Sequence, residues 1–279
     1  MRIISYKIFK CSNRAIYIFF MDNSKQIPFS AIDALFQCKK NNIKIFISTA
    51  RAPLLDKMLG WQENILTLFE GGSYCNGAII KTPNIIKYNY IEKYLVKDFT
   101  EIISKYPDVH YALNLTDECH VFNHHLPDEM LRPWGLFRDK IFDLSDDAIS
   151  ETVKIIIYHN NLVDSKEKLP VELYNELVSN FSEKLNIYLQ DKGRTIQISA
   201  KGINKCSAIK YICNIYGFTP DEIAVFGDDL NDIEMLSEFP ISIAMGNAEE
   251  TVKQTARYTT LSNESDGIYH ALKNILNLI

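Results

Sequence analysis

No apolar run in this 279-residue chain approaches the ~20 residues that a bilayer-spanning helix requires. The segment Met1 to Lys10 carries Arg2, Lys7 and Lys10 but lacks a long apolar stretch ending in small residues, so it does not read as a signal peptide. A cytoplasmic location is the resulting expectation. Basic residues are scattered and the formal charge is −5, which argues against nucleic acid or an anionic membrane as a partner. No CxxC spacing occurs. The six cysteines (Cys11, Cys38, Cys75, Cys119, Cys206, Cys213) are spread widely and read as reduced, mostly buried thiols. Low-complexity tracts and internal repeats are also missing. What is present is 47% apolar and 23% charged, enough to bury a core without disulfide or metal staples.

The apolar pattern opens with Ile3 to Phe9 and a second stretch from Ala15 to Met21. Ser30 after Pro28 suits a helix start, with helical periodicity from Ala31 to Lys40. Ile43 to Ser48 reads as a buried parallel strand, followed by Thr49-Ala50-Arg51 and a helix from about Pro53. Strand and helix alternating in this way predict a doubly wound α/β sheet, whose ligands sit beyond the carboxyl ends of the strands. After Gly71-Gly72 and Asn76-Gly77 the texture becomes α+β. A helix is expected over Tyr94 to Tyr106, and a strand pair over Val109 to Leu115 and Cys119 to Asn123. A strand follows at Val153 to Tyr158, a helix at Val171 to Phe181, and a hairpin of Leu185 to Gln190 with Thr195 to Ser199. The α/β rhythm returns with a helix over Cys206 to Tyr216 and strands at Ile223 to Phe226 and Ile241 to Ala244. These patterns predict a core of residues 1–81 and 191–279, with an inserted α+β domain at 82–190.

The sharpest chemical signal is Gly227-Asp228-Asp229-Leu230-Asn231-Asp232, directly after an apolar strand. Carboxylates at that density repel unless a cation neutralises them, and oxygen ligands suit a hard ion such as Mg²⁺. An acidic loop capping the next helix is the structural alternative. Cys119, His120, His124 and His125 are a weaker cluster; HVFN reads as a strand, which denies them helical ligand geometry.

The spacing GDxxND resembles the fourth motif of the haloacid dehalogenase superfamily. Ser48-Thr49-Ala50-Arg51 resembles its second motif, Asn76-Gly77-Ala78 the segment before its cap, and Lys201-Gly202-Ile203-Asn204-Lys205 its third. Met245-Gly246-Asn247-Ala248 resembles the stretch after the fourth. The matches keep the family's order and look like its Cof-type, sugar-phosphatase-like branch. The resemblance implies a Rossmann-like core with an inserted cap and Mg²⁺-dependent hydrolysis of small phosphorylated metabolites. It places phosphate at Thr49, Ala50, Lys205 and Asn231 and metal at Asp228 and Asp232, with Lys205 balancing charge. His124, His125 and Arg132 are polar candidates on the cap. Oligomeric state is unreadable.

The family's first motif, Asp-x-Asp-Gly-Thr, supplies the nucleophile and the general acid/base. One register sets Cys11-Ser12-Asn13-Arg14-Ala15 on it, with Cys11 at the nucleophile and Asn13 at the acid/base position. Another sets Met21-Asp22-Asn23-Ser24 there, leaving few residues before Pro28. No Asp-x-Asp occurs before Asp56 in either register. Asn13 could not exchange a proton near neutrality, a loss of ~10²–10⁴-fold, and a thiol suits Mg²⁺ poorly. Two readings therefore stand: a phosphatase with impaired turnover and a weak or lost Mg²⁺ site, or a pseudo-phosphatase that binds ligand in a regulatory role.

Overall fold

The computed structural model describes residues 14–18, 26–159 and 167–279. The chain enters the described region in β1 (Arg14–Ile18), followed by α1 (Phe29–Lys40), β2 (Ile43–Ser48), α2 (Leu55–Leu59) and α3 (Glu63–Leu66). Then come β3 (Gly72–Tyr74), β4 (Ile79–Thr82) and β5 (Ile85–Tyr88). The middle of the chain forms α4 (Lys93–Ile103), β6 (Val109–Asn114), β7 (His120–Phe122), α5 (Asp128–Trp134), β8 (Ile141–Phe142), α6 (Asp146–Ser150), β9 (Lys154–His159), α7 (Val171–Phe181), β10 (Leu185–Gln190) and β11 (Thr195–Ala200). The last third contributes α8 (Lys205–Tyr216), β12 (Ile223–Gly227), α9 (Ile233–Glu238), β13 (Ile241–Ala244), α10 (Glu250–Thr255), β14 (Tyr258–Thr259) and α11 (Gly267–His270).

Two sheets result. The first has eight strands in the order β14-β13-β12-β1-β2-β3-β4-β5, parallel from β14 to β3 and antiparallel over the last two. Side chains alternate across a strand, and β1 uses both faces. Ile16 and Ile18 join a core with Ala34, Leu35 and Leu272, while Ala15 and Tyr17 join another with Ile209 and Met235. Tyr17 stacks on Phe46 of β2 at 4.9 Å between centroids, a pairing worth ~0.5–1.5 kcal/mol beyond its buried area. This is the expected doubly wound α/β core. No helix among the described residues is long and apolar enough to cross a membrane.

The second sheet has the order β10-β11-β9-β6-β7-β8. One face packs α4 and α7 through Phe99, Leu113, Ile155, Ile157, Leu173 and Ile198. The other carries Lys154, Tyr158, His110 and Gln197, in register across β6, β9 and β11.

Three expectations are corrected by the pairing. β11 pairs along its whole length with β10 and also with β9, so a boundary at Gln190 would cut a hairpin; the chain returns to the first sheet only after Ala200. β5 pairs with β4 in the first sheet, so the insertion starts after Tyr88 and not at 82. Finally, Arg14 and Ala15 lie inside β1, paired to Ile43 and Lys44 of β2. Ile18, the last described residue of β1, stands level with Ile47. The register that set Arg14 and Ala15 in the loop beyond the first strand is therefore displaced, since both are paired within β1. Cys11, Asn13 and the expected strand at Ile3 to Phe9 themselves lie outside the described residues.

Candidate functional site

Thr49 is fully buried at the carboxyl end of β2. Its backbone N–H donates to Ser73 O at 2.9 Å and its carbonyl accepts from Asn76 N at 3.1 Å. The Thr49 hydroxyl accepts from Arg51 N at 3.1 Å, which leaves its proton for a ligand oxygen. The Asn76-Gly77 turn follows β3. Asn76 sits in the left-handed region at φ 56°, a conformation that Asn tolerates better than most residues. Gly77 abuts the start of α8 so closely that a Cβ would stand 2.3 Å from Asn204 O.

Asn204 caps α8. Its side chain accepts from Ser207 N at 2.8 Å and Ser207 Oγ returns the bond at 3.0 Å, a reciprocal capping box. Lys205 thus falls on the first turn of α8, where the helix dipole disfavours a cation. Asp232 compensates. Lys205 Nζ donates to Asp232 Oδ1 at 2.7 Å and to Asn231 Oδ1 at 3.2 Å, with all three side chains buried. Asn231 Nδ2 in turn donates to Asn76 Oδ1 at 2.9 Å. The second, third and fourth motif resemblances are therefore joined by one hydrogen-bonded chain running from Thr49 through Asn76 and Asn231 to Lys205.

The two predicted metal residues differ in kind. Asp232 Oδ2 accepts from the backbone N–H groups of Asp228 and Asp229, at 3.0 and 3.1 Å, while Oδ1 holds Lys205. It braces the loop. Gly227 is what lets it come so near, for a Cβ there would lie 2.5 Å from Asp232 Cβ. Asp229 caps the next turn by accepting from Leu230 N. Asp228 reaches solvent and accepts from Asn247 Nδ2 at 3.2 Å. Partial desolvation, and then the neighbouring Asp232 carboxylate, hold its carboxyl above the ordinary carboxylate range. That excess of negative charge fits a hard cation at Asp228. No group of three or more His, Cys, Asp or Glu able to hold a metal occurs among the described residues. Magnesium bound there would supply charge neutralisation to phosphoryl oxygens.

Two cations at the Thr49 turn were given no role in the sequence reading. Lys154, at the start of β9, reaches across from the second sheet and donates to Ala50 O at 2.6 Å while only 2% exposed. Burial lowers its pKa to about 8. Half-buried Arg51 is also depressed by burial. The signal for Lys154 was a lysine heading the run Lys154-Ile155-Ile156-Ile157, where an apolar residue is the norm. A second bridge between the sheets is Asn76 Nδ2 donating to Gln197 Oε1 at 3.0 Å, and a third is Tyr188 OH donating to Glu234 Oε1 at 3.3 Å. Leu54 completes the contact with Leu126 and Leu136 in a small apolar cluster.

The remaining candidates are dispersed. His120 is buried, hydrogen-bonded to Asn114 Nδ2 at 3.0 Å, and burial pulls its pKa down to about 4, so it is neutral. His124 packs on His110 with centroids 3.9 Å apart and lies 3.5 Å from Tyr158 OH. His125 and Arg132 are exposed. Cys38, Cys75, Cys206 and Cys213 are buried free thiols, and Cys119 is half-buried and free.

Residues 20–272 match the family of haloacid dehalogenase-like hydrolases. The chain belongs to that family. One relative is the 5-amino-6-(5-phospho-D-ribitylamino)uracil phosphatase YcsE of Bacillus subtilis (strain 168). It is 35% identical over 104 residues, covering 37% of this chain and 42% of that protein, so the match spans less than half of the relative. The phosphoglycolate phosphatase of Methanobrevibacter smithii is 26% identical over 71% of this chain and 83% of its own. A HAD/COF-like hydrolase from Plasmodium vivax shares the fold with a TM-score of 0.78 at 20% identity, covering 96% of this chain and 97% of that one.

Proposed function

We propose that this chain binds small phosphorylated metabolites at the Thr49–Lys205 cleft and hydrolyses them poorly, because its first motif lacks the nucleophilic carboxylate. The observation that carries the reading is the register of β1, which sets Ile18 level with Ile47 near the carboxyl end of β2. In the chain Phe19-Phe20-Met21-Asp22-Asn23-Ser24 come next. Set against Asp-x-Asp-Gly-Thr, they align Phe20 with the nucleophile, Asp22 with the acid/base and Ser24 with Thr. The family match also begins at residue 20, past Cys11 and Asn13. These residues lie outside the described region, and the assignment is one of chain order.

A phenyl ring can neither attack phosphorus nor ligate Mg²⁺. Asp22 would keep general acid/base capacity, and Asp228 alone of the described carboxylates would hold the cation, hence weakly. Binding is better preserved: Thr49, the Ala50 amide, Lys205 and Asn231 keep donors at the strand ends. The names of the two phosphatase relatives support a small phosphorylated compound as ligand. A ligand-binding, non-catalytic role is the limiting case of the same reading.

The test is turnover of an aryl phosphate and a panel of phosphorylated sugars, with and without Mg²⁺, by the native chain and by Phe20→Asp. Weak or no turnover by the native chain and Mg²⁺-dependent turnover by Phe20→Asp are expected. Vigorous turnover by the native chain, undiminished in Asp22→Asn, would overturn the assignment.

A further inference from the structure

Lys154 presents a physical problem that its hydrogen bond does not solve. An ammonium has three donors, and this one is 2% exposed with a single hydrogen-bond partner among the described residues, the neutral Ala50 carbonyl. No carboxylate pairs with it among the described residues. A buried, unpaired charge is expensive to keep. Burial is the main force that pushes its proton off, and the nearby Arg51 and Lys205 cations add to it.

Arg51 repeats the pattern one residue beyond Ala50. Its backbone is engaged by Thr49 and Cys75, yet its guanidinium has no acidic partner among the described residues. Lys205 differs, since Asp232 neutralises it at 2.7 Å. Two cations without an acidic partner among the described residues therefore stand at the Thr49-Ala50 turn, one from each sheet.

We infer that the Lys154 ammonium and the Arg51 guanidinium form a further half of the anion site, each binding a phosphoryl oxygen of a phosphomonoester held at Thr49. The inference rests on the phosphate-binding reading above and adds to it. The dianion supplies a counter-charge to buried Lys154 and half-buried Arg51, and charge-assisted hydrogen bonds in a low-dielectric cleft are the strong kind. Because Lys154 belongs to the inserted sheet and Arg51 to the core, a bound phosphoryl group ties the two sheets together. A simple latch between the sheets would not need a charge; the Asn76–Gln197 amide pair already provides a neutral one.

The experiment is calorimetric titration with orthophosphate at several ionic strengths, in EDTA and again in Mg²⁺. It compares the native chain with Lys154→Gln, Arg51→Gln and Lys57→Gln. The last removes a different bridge between the sheets, Lys57 to Glu118 at 3.0 Å, and serves as the control. Each of the first two is expected to weaken binding by about tenfold or more, the loss of one charge-assisted hydrogen bond. Each should also flatten the salt dependence of Kd, which a merely structural role would not move. Lys57→Gln should stay near the native value. Circular dichroism checks folding, and Arg51→Gln carries the test should Lys154→Gln unfold. Equal affinity and equal salt dependence in all four proteins would overturn the inference and leave the phosphate-binding reading standing. No orthophosphate binding by the native chain in either buffer would remove that reading, and the inference with it.

Discussion

Replacing Lys154 by Met should make the protein more stable relative to the native chain at neutral pH than at alkaline pH, by an amount that can be worked out. The lysine's pKa falls from 10.5 to about 8 on folding, chiefly through burial and then through Arg51 and Lys205. A base with a lowered folded pKa binds fewer protons in the native state, so stability is reduced below the folded pKa and recovered as pH rises from about 8 towards 10.5. Integrated from pH 7 to pH 10, that difference is roughly 2–3 kcal/mol in the native chain and absent in Lys154→Met. Loss of the bond to Ala50 O costs the variant roughly 1–3 kcal/mol at every pH, so the comparison between pH values isolates the charge. The Cys75 thiol facing Lys154 is raised to about 11 by burial and stays protonated over this range. Urea denaturation of both proteins at pH 7, 8.5 and 10 measures the gap. A gap that stays constant with pH would refute the claim that Lys154 is a buried charge held at a cost.

Two further changes test the brace and the metal position. Gly227→Ala forces a Cβ into Asp232, 2.5 Å from its Cβ, and should destabilise by about 1–3 kcal/mol through overpacking; a melting temperature equal to the native one would contradict the close approach. Asp228→Asn should abolish any rise in melting temperature produced by Mg²⁺, whereas an undiminished Mg²⁺ effect would move the cation elsewhere.

Much of the core was legible because its signals are local. Ile43–Ser48, Val171–Phe181 and Ile241–Ala244 form as read, since an unbroken apolar run or a helical repeat bounded by turn residues needs no partner to be recognised. The strand-end residues Thr49, Lys205, Asn231 and Asp232 were found by resemblance to the family's motifs, and one hydrogen-bonded network connects them. Assignments that depend on pairing were not legible. Ile3 to Phe9 and Ala15 to Met21 are both apolar, and only the parallel register of β1 between β2 and β12 decides which residues end at the cleft. β11 resembles any half-buried strand, and its membership of the second sheet is fixed by β10 and β9. Nor does spacing tell a metal ligand from a brace: Asp228 and Asp232 belong to one motif, yet the backbone amides and Lys205 take both oxygens of Asp232.

The central claim is that the strand-end cleft of this family member still receives a phosphoryl group, and the location of a bound tetrahedral oxyanion tests it most directly. Crystals of the native chain soaked in tungstate, with the tungsten found from its anomalous signal, should show the ion within hydrogen-bond reach of the Thr49 hydroxyl, Lys205 Nζ and Lys154 Nζ. Tungsten bound reproducibly elsewhere, with that cleft empty at saturating tungstate, would contradict the account.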